Sequence, residues 1–149
     1  MLHEEALEIV KSTAQKPVFR TALTYLKAGT ELALLLDDRV EFALFLKNKE
    51  VCVEERQAKA DVEFSFSAEA LRLLSGHPGE QLASFGIAIC EQVLAGQMKI
   101  RVRGSLLRVL TGGYLQMILA AGPELLQFLA MHGISNASRI LDLIRSLKK

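Results

Sequence analysis

The chain carries few residues able to do chemistry, and their spacing keeps them apart. Its histidines are His3, His77 and His132. None has a second histidine, a cysteine or a carboxylate at i+4 or at the spacing of a metal finger, so no metal set is expected and no cofactor is implied. Cys52 and Cys90 stand alone, without a Cys-x-x-Cys, and read as reduced, packed thiols. No serine sits in a Gly-x-Ser-x-Gly elbow. Gly112-Gly113 is not followed by Lys-Ser or Lys-Thr, so it is not a phosphate loop; the pair reads as the start of a helix held close against another element. Glu54 and Glu55 are neighbours on a strand, point to opposite faces and cannot share acid–base work. Cys90 with His77 is the one pairing left for an enzyme, and the pattern as a whole argues against catalysis.

Two further stretches stand out. Lys99, Arg101 and Arg103, with Arg108 beyond, form a basic strip. It reads either as the solvated outer face of an edge strand, charged against edge pairing, or as an approach surface for anionic lipid headgroups. No aromatic residues interleave it, which argues against single-stranded nucleic acid. Eighteen Lys and Arg against 17 Asp and Glu leave a net charge of +1, so a duplex polyanion is not an expected partner either. The second stretch, 109–137, has Glu124 as its one charge. A membrane span there would be broken by Gly122-Pro123-Glu124, with Gln116 and Gln127 to either side. The remaining readings are a buried helical hairpin, or helices that cap an apolar cavity. Met98, Met117 and Met131 would suit a wall that adapts to a flexible ligand.

The elements that must position these residues follow from periodicity. Half of the 149 residues are apolar, enough for one core without disulfides. Residues 4–28 repeat at helical spacing, interrupted at Pro17. The period then drops to two. Leu32, Leu34 and Leu36 form one strand, Val40, Phe42, Leu44 and Leu46 a second, and Val51 and Val53 a third. Turns at 37–39 and 47–49 make these an antiparallel meander. A fourth strand at 61–67 puts Val62, Phe64 and Phe66 on one face. Ser67 reads as an N-cap, with Glu69 in the first turn of a helix that reaches about residue 75. A longer helix at 80–94 carries Leu82, Phe85 and Ile89 on one side. Met98, Ile100 and Val102 mark a fifth strand, and the rest is helical with breaks at Gly112-Gly113, Gly122-Pro123 and Gly133. The last helix would start near Asn136 or Ser138, with Ile140, Leu141, Ile144 and Leu147 in a stripe.

Two of these segments are similar to a known family. Residues 60–71, Ala-Asp-Val-Glu-Phe-Ser-Phe-Ser followed by Ala-Glu-Ala-Leu, resemble the fourth strand and following helix of the sterol carrier protein type 2 family. Residues 95–105, with Gly96, the Lys99-Ile100 pair and Gly104, resemble its last strand. The likeness spans roughly 20–130, and the order of elements agrees. It implies an α+β fold: a five-stranded, mainly antiparallel sheet covered on one face by helices, enclosing an apolar tunnel for sterols, fatty acids, acyl-CoA or other lipids, without chemistry of its own. Some bacterial members resemble accessory factors for isoprenoid-quinone synthesis. Here the helix at 80–94 is longer than the family's link, and about 40 residues follow Ser105 in place of one or two short helices.

Within such a fold alternate strand residues face the helices. The candidate ligand-binding residues are therefore Phe42, Leu44, Phe64, Met98 and Ile100 from the sheet, and Leu82, Phe85 and Ile89 from the long helix. Leu115, Leu119, Leu126 and Leu129 would come from the lid helices; Phe85, Met98, Leu115 and Leu119 are placed nearest the lid. The expected whole is one domain over 1–149: N-terminal helices (1–28), sheet with helical insert (30–104) and C-terminal lid (105–149). Its expected role is a non-catalytic lipid carrier. The alternative is an interaction or dimerisation module, a homodimer included, that uses the apolar C-terminal helices. With no basic-then-apolar leader and a Leu147-Lys148-Lys149 end in place of a peroxisomal Ser-Lys-Leu, a cytoplasmic location is expected.

Overall fold

A period-two pattern broken by two short polar turns builds the centre of the protein, and the computed structural model, which describes residues 3–133, shows how helices close over it. In chain order the elements are α1 (His3–Ala14), α2 (Pro17–Tyr25), β1 (Glu31–Leu36), β2 (Val40–Lys47), β3 (Glu50–Glu55) and β4 (Ala60–Phe66). Then come α3 (Ala68–Ser75), α4 (Leu82–Leu94), β5 (Met98–Val102), α5 (Leu106–Thr111), α6 (Tyr114–Ala120) and α7 (Pro123–Met131). The stripe on Ile140, Leu141, Ile144 and Leu147, and the helix expected to carry it, lie outside the described residues.

The sheet order is β3-β2-β1-β4-β5. β1 and β4 run parallel; the other neighbours are antiparallel. Both hairpins turn through left-handed backbone: Asp37 and Asp38 have φ of 52° and 54°, Asn48 and Lys49 of 54° and 65°. That is the geometry which matches the twist of the flanking strands, and Asn and Asp tolerate it best. Register then sets three rows across the helix-covered face. Leu44, Leu32, Val62 and Val102 form one, and Phe42, Leu34, Phe64 and Ile100 the next. Val40, Leu36, Phe66 and Met98 form the third.

These rows pack into two core clusters with the helices. One joins Leu36, Phe42, Phe66 and Met98 to Ala6, Val10 and Val18 and to residues of α3 and α4. The other joins Leu32, Leu44, Val62 and Val102 to Ala14, Leu23, Val109 and Tyr114. On the opposite face Ala33 and Ala43 form a small cluster with the loop residue Ala58, with Leu35, Phe45 and Ala60 packed against it. Side chain and backbone agree at the cap of α3, where the Ala70 N–H donates to Ser67 Oγ at 3.1 Å. Ser67 Oγ in turn donates to Gln97 Oε1 at 2.7 Å, which ties that cap to the start of β5.

Candidate functional site

Between the two clusters lies a cavity of about 300 Å³. This volume is at the low end of the range for small-molecule pockets. The sheet supplies its floor through Leu32, Leu34 and Leu44, then Val62, Phe64 and Phe66, then Met98, Ile100 and Val102. Each set is the inward alternate of its strand, as the pleat requires. α1 and α2 contribute Val10, Thr13, Ala14, Val18, Phe19 and Ala22. α4 brings Leu82, Phe85, Gly86, Ile89 and Cys90. α6 presents Tyr114, Met117 and Ile118, with Ala121 just beyond its end, and α7 presents Leu125 and Leu129. Among the described residues no lining side chain carries a charge.

Eight of the twelve residues expected at the site lie on this wall: Leu44, Phe64, Leu82, Phe85, Ile89, Met98, Ile100 and Leu129. Four do not. Phe42 is wholly buried within the first core cluster. Leu115 and Leu126 pack against the margin of the second. Leu119 is 43% exposed. The displacement on α6 has a simple helical cause. Its cavity stripe is 114, 117, 118 and 121, the i, i+3, i+4, i+7 positions, and 115 and 119 sit about one residue's rotation, ~100°, away. That stripe was present in the sequence but centres on a tyrosine, whereas the neighbouring leucines are the more apolar choice. The walls from α1, α2 and β1 had no sequence signal beyond ordinary amphipathicity, because nothing local says which core face borders a void.

The start of α6 is fixed by Gly113. Its φ is 98°, and a Cβ there would run into the Tyr25 carbonyl at the end of α2. The Lys27 N–H donates to the Gly112 carbonyl at 2.9 Å. The glycine pair thus starts a helix hard against another element and puts Tyr114 on the cavity wall.

Two lining groups titrate, and burial dominates both. It pushes the Tyr114 phenol well above its ordinary range, helped by the Asp61 carboxylate, and pushes up the Cys90 thiol, helped by Glu91. A thiol held protonated in apolar surroundings is a poor nucleophile. His77 is engaged elsewhere. Its Nδ1 accepts from the Gly79 N–H at 2.9 Å, and its ring stands edge-on to Phe85 with centroids 5.2 Å apart. Among the described residues no group of three or more His, Cys, Asp and Glu could hold a metal ion.

The outer face of the sheet corrects the reading of the basic strip. Lys99 and Arg101 are exposed, but Arg103 is held by carboxylates from two other strands. Its Nε donates to Glu63 Oε1 at 2.6 Å, and its terminal nitrogens to both oxygens of Glu41 at 2.7 and 3.0 Å. The side chain reaches across β4 and β1 to β2. It is therefore part of the sheet's own charge lattice rather than a cation presented to headgroups. α6 and α7 meet at 102°, and among the described residues no single helix is long and apolar enough to cross a membrane.

No protein-family model matches the chain, and no curated protein does. Among solved structures, a "UbiJ-SCP2 Ubiquinone synthesis protein" is similar over 77% of this chain and 88% of that one, with 17% identity and a TM-score of 0.45. The sec-alkylsulfatase Pisa1 from Pseudomonas sp. is similar over 62% of this chain and 13% of its own, with 18% identity and a TM-score of 0.40. A double mutant of that sulfatase is similar over 62% of this chain and 15% of its own, with 17% identity and a TM-score of 0.38.

Proposed function

We propose that this protein holds a lipid or a comparably apolar small molecule between sheet and helices and carries it without acting on it chemically. The observation that carries this reading is the cavity of about 300 Å³ whose walls, among the described residues, are uncharged and almost wholly apolar. Protein interiors pack like organic crystals, with few voids larger than a water. The side chains around an empty apolar space forgo dispersion contacts, and the cost grows with its volume. In a chain of 149 residues such a space is expensive unless an occupant fills it. The two segments resembling the sterol carrier protein type 2 family support the same reading. The nature of the lining supports carriage over catalysis, since neither the protonated Cys90 nor Tyr114 has a basic partner on the wall.

The test is native mass spectrometry of gently purified protein, with extraction and identification of any lipid that comes with it. A bound apolar molecule, lost on extraction and restored by adding it back, is the expected result. Protein that carries nothing, and binds no acyl, sterol or quinone probe at high micromolar concentration, would rule the reading out.

A further inference from the structure

Two polar atoms are out of place on the cavity wall. Among the described residues, Thr13 Oγ1 and Tyr114 Oη are the side-chain oxygen or nitrogen atoms fully buried without a hydrogen-bond partner. Both residues are 7% exposed, and both line the same cavity. Buried polar groups are nearly always paired, so two orphans on one apolar wall call for an explanation. Thr13 is informative by contrast with its fellows. The helical threonines Thr21, Thr24 and Thr111 each donate to the carbonyl four residues back, at 3.2, 2.7 and 2.8 Å. Thr13 occupies the same kind of helical position and makes no such bond.

From this we infer that the molecule held in the cavity is a lipid bearing neutral oxygen functions, such as a carbonyl, ether, ester or hydroxyl, bonded by the Tyr114 and Thr13 hydroxyls. The inference rests on the lipid-binding reading and narrows it. A phenol O–H donates readily to a carbonyl or ether oxygen, and a threonine hydroxyl can donate or accept. An ionised carboxylate or phosphate would fit poorly. Among the described residues no lining side chain supplies a positive charge, and a buried anion without a counter-charge is heavily penalised. The Asp61 carboxylate, which acts electrostatically on Tyr114, adds repulsion. A plain hydrocarbon would fill the space and leave both hydroxyls unpaired. Sites built with buried polar groups discriminate strongly against ligands that fail to satisfy them.

The experiment compares three ten-carbon probes: an alkane, a methyl ketone and a carboxylate at pH 7. Each displaces a fluorescent apolar reporter from the full chain. The ketone is expected to bind tightest, with the alkane roughly three- to tenfold weaker and the carboxylate weaker than the ketone. Tyr114→Phe and Thr13→Val should each lower the ketone-to-alkane ratio, and the double variant should bring it near one. Thr13→Ser should retain it. Tyr114→Phe and Thr13→Val should not lower the melting temperature of ligand-free protein, because each removes a hydroxyl with no partner to lose. Several outcomes would overturn the inference alone while leaving lipid binding intact. These are a ketone that binds no tighter than the alkane, a carboxylate that binds tightest, or a ratio unmoved by either hydroxyl's removal. A clear fall in melting temperature in both Tyr114→Phe and Thr13→Val would do the same, since it would assign the hydroxyls a structural role. If no probe binds at all, the lipid-binding reading fails and takes this inference with it.

Discussion

Arg103 is the residue on which the outer face turns. Its guanidinium answers Glu63 on β4 and Glu41 on β2, while Arg56 does the same for Glu31 at 2.8 Å and packs over the Phe45 ring. The Arg103 bonds hold the Glu41 carboxyl below its usual 4.5, with the Ala58 N–H assisting, and Arg56 does likewise for Glu31, with the Lys59 N–H assisting. The sign follows directly. A carboxyl whose pKa is lower in the folded state stabilises the fold above its unfolded value and loses that contribution as pH falls through its folded value. Stability should therefore decline as pH drops below about 4.5. Glu41→Gln should cost about 1–3 kcal/mol at pH 7, the scale of a charge-assisted hydrogen-bond set, and the cost should shrink as pH falls through the lowered folded value of Glu41. Urea unfolding over a series of pH values from 7 downward checks this; a cost that stays constant until the protein unfolds would remove Glu41 from the acid response. At this scale the sequence was half legible. Glu41, Glu63 and Arg103 all fall on outward alternates of their strands, which periodicity reveals. Their partnership depends on β1 lying between β2 and β4, which is not local information.

Among the elements, the strands were legible against their own composition. β1 reads Glu-Leu-Ala-Leu-Leu-Leu, rich in good helix formers, yet the turns at either end and the two-residue period of its neighbours leave it no room to be a helix. The hairpin at 47–50 keeps one blemish: Lys49 sits at φ 65°, where the favoured turn sequence is Asn-Gly. Lys49→Gly should stabilise by up to about 1 kcal/mol, because glycine adopts left-handed backbone without the Cβ penalty. Its melting temperature should rise by a few degrees, and an unchanged or lower one would mean that the Lys49 side chain contributes more than its backbone costs. Gly113 shows the reverse. There the left-handed φ and the Tyr25 carbonyl both forbid a Cβ, so Gly113→Ala should lose roughly 1–3 kcal/mol. It should also weaken ligand binding, because Tyr114 moves with the start of α6. A variant that loses stability but binds as before would separate the helix start from the site. The register of α6 was the element that sequence misplaced, and the reason is general. A helix that is apolar on more than one side gives no single stripe, so its rotation is decided by what it packs against.

For the molecule as a whole, a void between sheet and helices and a filled core differ in the sign of one substitution. In a filled core, an added large side chain forces strain and costs about 1–3 kcal/mol. Against a void the added carbons are buried at no steric cost and contribute about 0.8 kcal/mol per methylene. Ala22 is a small residue of α2 on the cavity wall, and leucine suits a helix nearly as well as alanine. Ala22→Leu should therefore raise stability by up to about 2 kcal/mol in ligand-free protein, and should weaken ligand binding because the new side chain occupies the ligand's place. Leu119→Trp is the matched control. Leu119 lies off the wall and is 43% exposed, so bulk there should move neither quantity much, although the apolar run Met117-Ile118-Leu119 alone would make it look like a lid position. Denaturant unfolding and probe displacement, measured on both variants, give the answer together. If Ala22→Leu destabilises and leaves affinity unchanged, α2 packs on a filled core and the binding site lies elsewhere. If it stabilises and displaces the ligand while Leu119→Trp does neither, the stability lost to the empty space is being recovered by filling it, and the same space is where the ligand sits.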